Sequence, residues 1–139
     1  MAVHRALLTV RTKGENDIID LSEWVGKEIE RSGMAQGIAC IMAKHTTVAV
    51  VIMENEAGLK ADMRDSFERI YPKGLDYQHN QKWGDGNGHS HVRATSLGQS
   101  ISMTFNEGKP DFGTWQSVVL IELDDHGRDR QVVLQLVGE

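Results

Sequence analysis

The run QGIACIMAK (36–44) is followed almost at once by TTVAVVIME (46–54), with only His45 and its polar neighbours between them. Two dense apolar runs, rich in β-branched residues and this close together, constrain the fold more than any other feature of the chain. Both read as strands. The second is apolar at successive positions, hence on both faces, so it is expected at the centre of a sheet.

The rest of the chain supplies partners for those strands. VHRALLTVRT (3–12) reads as a strand whose end alternates with period two. DLSEWVGKEIERSG reads as a helix. Asp20 is its expected N-cap, with Glu23 three residues on in a capping-box pattern, and Gly33 is its stop. Leu21, Val25 and Ile29 fall at i, i+4 and i+8, on the side that faces a core. NEAGLKADMRDSFERIY (55–71) spaces Leu59, Met63, Phe67 and Ile70 helically, and Pro72 and Gly74 end it. Residues 72–90 read as one long irregular stretch, of the kind that is usually functional. HVRATSLG follows as a short helix, then QSISMTFNEG as a strand with Ile101, Met103 and Phe105 on one face. TWQSVVLIELD and RQVVLQLVG read as two strands of a hairpin joined by DHGRD. The sum is a single-domain α+β fold over residues 1–139, with a largely antiparallel or mixed sheet and two main helices.

Totals narrow the function. A chain of 139 residues can bury a core without disulfides or metal. A net charge of −5 implies no cationic face, so no nucleic-acid partner is expected. The single cysteine, Cys40, allows no internal disulfide, fits a cytoplasmic location, and reads as a small buried core residue. No signal peptide and no membrane-spanning segment are expected.

The residues able to do chemistry are scattered. His45 sits between two strands, either as a plain turn histidine or as an imidazole projecting at the sheet edge. GDGNGHSHVRA (84–94) carries His89 and His91, and His79 lies upstream in YQH. On an extended segment His89 and His91 would point the same way and meet one ion; on a helix they would diverge. Asp62 and Asp65 can share a helix face, although surface acids of this kind are usually just solvated. Arg128 and Arg130 flank a turn, where they can grip a phosphate or merely tie down a hairpin end. Trp115 is either a core anchor or the wall of a pocket, with Gln116 as its polar contact.

The order of these blocks is more specific than any one of them. HTTVAVVIMEN, Asp62, YQH, NGHSHVRA, SLGQSI, FGTWQSVVLIELDD, RDR and a terminal VGE together resemble the YjbQ family, small proteins often labelled secondary thiamine-phosphate synthases, an activity assigned to some of them. The resemblance runs from about residue 3 to the C-terminus. It implies a single α+β domain, a homotrimer, and a weak activity joining a pyrimidine pyrophosphate to a thiazole phosphate. The polar positions it carries over are His45, Glu54, Asn55, Asp62, His79, His91, Gln116, Arg128 and Arg130. His89 is not among them and is expected beside the site or exposed. Two departures stand out: Phe112 where relatives often have Leu, and Gly127 where relatives have a proline, which bears on how Arg128 is presented.

Residues and resemblance converge on one expected site. His45, His79 and His91 would meet around a divalent metal with an open position, zinc rather than magnesium. Asp62 or Glu54 would orient a ligand or act as a general base, and Arg128 and Arg130 would hold a phosphorylated small-molecule substrate, with Asn55, Trp115 and Gln116 completing its binding. A metal-dependent hydrolase and a non-catalytic anion-binding trimer are the alternatives. A site between subunits, with histidines from one and arginines from another, is a further expectation.

Overall fold

The computed structural model describes residues 1–139 as eight strands and four helices. In chain order these are β1 (Ala2–Arg11), β2 (Ile18–Asp20), α1 (Ser22–Ser32), β3 (Gly37–Ala43), β4 (Val48–Met53), α2 (Ala57–Ile70), α3 (Gln78–Trp83), α4 (Gly88–Leu97), β5 (Ser100–Asn106), β6 (Lys109–Pro110), β7 (Ser117–Glu122) and β8 (Asp129–Gly138). They form a five-stranded sheet ordered β1-β8-β3-β5-β6 and a three-stranded sheet ordered β2-β7-β4. Every pairing is antiparallel.

Alternation along the strands dictates the layers. In β8, Arg130, Val132, Leu134 and Leu136 point inward while Asp129, Gln131, Gln135 and Val137 point out. The inward rows of β3, β5 and β8 meet Val48 and Val50 of β4 and Val118 and Leu120 of β7, and Leu21, Val25 and Ile29 of α1 complete this core. The opposite face of the small sheet buries Ala49, Val119 and Ile121 against Phe67 of α2 and Ala94 of α4. The small sheet is thus sandwiched, which is why β7 is apolar at consecutive positions. Each fully buried Leu, Ile or Val contributes about 1.5–3 kcal/mol.

Several expectations change. β4 is an edge strand, not a central one. Its two apolar faces reflect the sandwich, and Val50 N–H finds its partner in the Gly98 carbonyl at 3.0 Å. β7 and β8 form no hairpin: they lie in different sheets, and residues 123–128 carry the chain across. Gly127 makes the crossing possible, since a Cβ there would lie 2.3 Å from the Thr12 carbonyl oxygen. The structure therefore has no room for a proline at this position. Residues 72–90 are not wholly irregular either. They contain the short α3, ended by Gly84 in the left-handed conformation at φ 69°, and the first turn of α4. α3 buries no residue, so it has no apolar period to read. Asp20 ends β2 and accepts Ser22 N–H at 2.8 Å, one position before the N-cap, Leu21.

The outer face of the five-stranded sheet is bare. Cross-strand rows Val3–Val137–Ile38 and Leu7–Val133–Met42 run across β1, β8 and β3, and Val3, Leu7, Ile38 and Met42 are exposed. Cys40 lies on this face, exposed, rather than in the core. No helix is long and apolar enough to cross a membrane.

Candidate functional site

The β3–β4 connection, the crossing between β7 and β8, and the first turns of α4 converge at one end of the sandwich. Between them is a cleft of about 350 Å³ lined by Lys44, His45, Thr46, Thr47, Asn87, His91, Asp124, Arg128 and Arg130, with no apolar residue. A single chain brings together His45, His91, Arg128 and Arg130. The expected division of histidines and arginines between subunits is not needed.

Arg130 is the inward residue of β8 and is 2% exposed. Its Nε donates to Glu122 Oε1 at 2.9 Å and its Nη2 to Glu122 Oε2 and to Thr47 Oγ1 at 2.8 Å. Glu122 also accepts from the Thr12 hydroxyl. This buried ion pair ties together both sheets and the β3–β4 corner, and it leaves Nη1 of Arg130 without a protein partner. Arg128 is more open. Its Nε donates to Asp124 Oδ2 at 2.8 Å, and both of its Nη atoms are free. Burial raises the Asp124 carboxyl, but the Asp125 amide N–H, Arg128 and Asn87 overcome this and hold it at about 2. Asp124 is therefore ionised. Lys44 is exposed at the rim.

The histidines divide. α4 turns about 100° per residue, so His89 and His91 face nearly opposite ways. His89 is fully buried, with Nε2 2.8 Å from Glu15 Oε1. It shares its helix face with Arg93, which reaches Glu15, Glu68 and the Tyr71 carbonyl. Neither an exposed nor a cleft residue, His89 anchors α4. His91 faces the cleft, and His79 from α3 stacks on it with ring centroids 4.2 Å apart. His79 Nδ1 is buried without a partner, 3.6 Å from Asp85 Oδ1. His79 does not itself line the cleft. Burial, and then the neighbouring His79, lower the pKa of His91 below its ordinary 6.5, against Asp85 and Asp124. Burial, and then the Arg130 charge, lower that of His45. Both rings are neutral at pH 7.

A metal at three histidines does not fit this arrangement. The Gln131 amide N–H donates to His45 Nε2 at 2.8 Å. With that lone pair taken, the neutral ring carries its proton on Nδ1 and has no lone pair left for a cation. The ligand atoms that do lie within 4.8 Å of one another belong to Asp124, Asp125 and His126, not to the three histidines.

The remaining expected residues lie elsewhere. Asp62 is exposed on α2 and does not line the cleft. Glu54 and Asn55 follow the far end of β4, whose six residues span roughly 20 Å. They share a second, smaller cleft with Trp115, which is 73% exposed and so no core anchor. Asn55 donates to Asp20 at 3.1 Å. Gln116 closes its own turn, accepting Gly113 N–H at 2.9 Å. Sequence reasoning missed Lys44, Thr47, Asn87, Glu122 and Asp124. One signal was there: a glutamate at the end of the apolar run VVLIE needs a buried cationic partner.

Comparison with known proteins agrees with this architecture. The family described as UPF0047 protein YjbQ-like matches residues 6–139. A UPF0047 protein of Methanothermobacter thermautotrophicus is 35% identical over 139 residues, covering 100% of this chain and 95% of that protein. The UPF0047 protein YjbQ of Escherichia coli O157:H7 is 26% identical over 98% of this chain and 99% of its own. Among solved structures, a YbjQ-like protein of Sulfolobus solfataricus P2 superposes with a TM-score of 0.93 at 32% identity, covering 99% of each chain. With the family matched over nearly its whole length and the fold shared, the chain belongs to the UPF0047 YjbQ-like family.

Proposed function

We propose that this protein is an enzyme that binds a phosphorylated small molecule in the cleft between the β3–β4 corner and α4. The observation that carries the reading is the lining: three cationic side chains, two neutral imidazoles and no apolar residue. Glu122 and Asp124 neutralise two of the three cations, leaving net positive charge for an anion. The free Nη atoms of Arg128, Nη1 of Arg130 and Lys44 Nζ are the donors for phosphate oxygens. His91 has an unengaged, neutral ring at the same cleft, which suits proton transfer to or from a reacting oxygen.

A volume of about 350 Å³ is at the low end for small-molecule sites. It suits one phosphorylated molecule rather than two. Thiamine-phosphate synthesis, joining a pyrimidine pyrophosphate to a thiazole phosphate, is the named candidate reaction. Its two rings would find no aromatic wall within this cleft, since Trp115 lines the other one. A homotrimer and a cytoplasmic location belong to the same proposal; the bare apolar sheet face supports association of subunits. The test is turnover by purified protein offered the two thiamine precursors beside a panel of phosphate esters. Product formation that falls about 10²- to 10⁴-fold in His91→Ala supports the assignment. Turnover that survives His91→Ala unchanged refutes it. Saturable binding with no product from any substrate favours an anion-binding protein instead.

A further inference from the structure

We infer that His45 is a hydrogen-bond donor to the bound phosphate, locked into that role by the backbone of β8, and is neither a proton acceptor nor a metal ligand. This rests on the phosphate reading of the cleft for its ligand, but not for the state of the ring. A backbone amide can only donate, and Gln131 N–H points at His45 Nε2 from 2.8 Å. Nε2 must therefore present its lone pair. A neutral imidazole has one proton, and with Nε2 bare it sits on Nδ1. Nδ1 has no partner in the chain, while the ring lines the cleft.

The lock is held from both sides. Lys44 N–H donates to the Gln131 carbonyl at 3.1 Å, so both polar groups of Gln131 grip the corner that carries His45. The ladder that pairs Ala43 with Val132 leads directly into it. Turning the ring over would set Cε1–H against the Gln131 N–H and lose the hydrogen bond, and protonating Nε2 would set two N–H donors face to face. The charges facing the ring are Arg130, Arg128 and Lys44 on one side of the balance and Glu122 on the other. They oppose a cationic ring. His91 differs: it makes no side-chain hydrogen bond within the chain, so either of its nitrogens can give or take a proton. The cleft thus separates a fixed donor, His45, from a free proton carrier, His91. A donor that cannot become an acceptor favours an oxygen that accepts at that position and rejects a hydroxyl or amine that can only donate there.

The resting protein gives the first test. Long-range proton–nitrogen correlation on protein labelled with ¹⁵N-histidine, at about pH 8 and so above the histidine range, should show a neutral ring protonated on Nδ1 that vanishes in His45→Asn. A His45 ring protonated on Nε2 overturns the lock, whatever the cleft binds. Calorimetry with inorganic pyrophosphate gives the second. In His45→Asn the amide NH₂ takes the place of Nδ1–H, so affinity should stay within about threefold, whereas His45→Ala should lose about tenfold or more. Equal losses in both variants overturn the donor role. Zinc affinity should be the same in His45→Ala as in the unaltered protein, and a tenfold fall would restore metal ligation. No pyrophosphate binding at all would refute the phosphate reading and the donor role together, while the ring's protonation state would still be read from the spectrum.

Discussion

His89 and His91 differ by two positions and by everything else. One is sealed behind Glu15 and Arg93 and the other opens on the cleft. Replacing each with alanine should separate stability from activity. His89→Ala removes the 2.8 Å contact to Glu15 and leaves a cavity beneath α4, and should lower stability by about 1–3 kcal/mol in a denaturant titration. His91→Ala should leave stability nearly unchanged and remove turnover. The reverse pattern would exchange their roles. Asp124 gives a pH signature. Its carboxyl titrates near 3.8 when unfolded and at about 2 in the fold. The unfolded chain binds the proton more readily, so Asp124 stabilises the fold fully above about pH 4, and that stabilisation is lost as the pH falls towards 2. Acid titration of Asp124→Asn should lack this component. The family resemblance, which carries over His91 and not His89, separated the two. It could not reveal the state of His45, because that depends on a backbone N–H 86 residues away in the chain.

At the scale of elements, the sequence showed where most strands and helices are but not which strands pair. Periodicity marks β8 as one-sided and β7 as two-sided, yet a hairpin and a crossing between sheets look alike until the partners are known. The crossing has a physical mark, the pair Glu122–Arg130. It places one charge at the end of β7 and the other at the start of β8, and fastens both to Thr47 and Thr12. Breaking it should be costly, because Arg130 would remain buried and unpaired. Glu122→Gln should destabilise the protein by about 3–5 kcal/mol, measured by chemical unfolding. Replacing both residues with apolar ones of similar size should restore much of the loss. A single substitution with no effect would mean that water, not Glu122, solvates Arg130. Glu54, Asn55 and Trp115 illustrate the opposite limit. They stand with His45 in a motif list, but a strand of six residues holds them at the other end of the sandwich.

For the whole molecule, the sandwich covers the small sheet on both faces and the large sheet on one. The rows Val3–Val137–Ile38 and Leu7–Val133–Met42 are what a subunit contact would bury. If copies associate through this face, Leu7→Asp with Ile38→Asp should shift the sedimentation of the protein to that of a monomer without unfolding it. Unchanged sedimentation of an oligomer would place the contact elsewhere. The cleft, by contrast, is complete within one chain, and its cations and imidazoles carry the functional account. Titration calorimetry of inorganic pyrophosphate into the unaltered protein and into Arg128→Ala addresses that account most directly. Saturable binding that weakens about tenfold or more when the Arg128 guanidinium is removed is the result expected. Absence of binding, or binding indifferent to Arg128, would contradict the phosphate site.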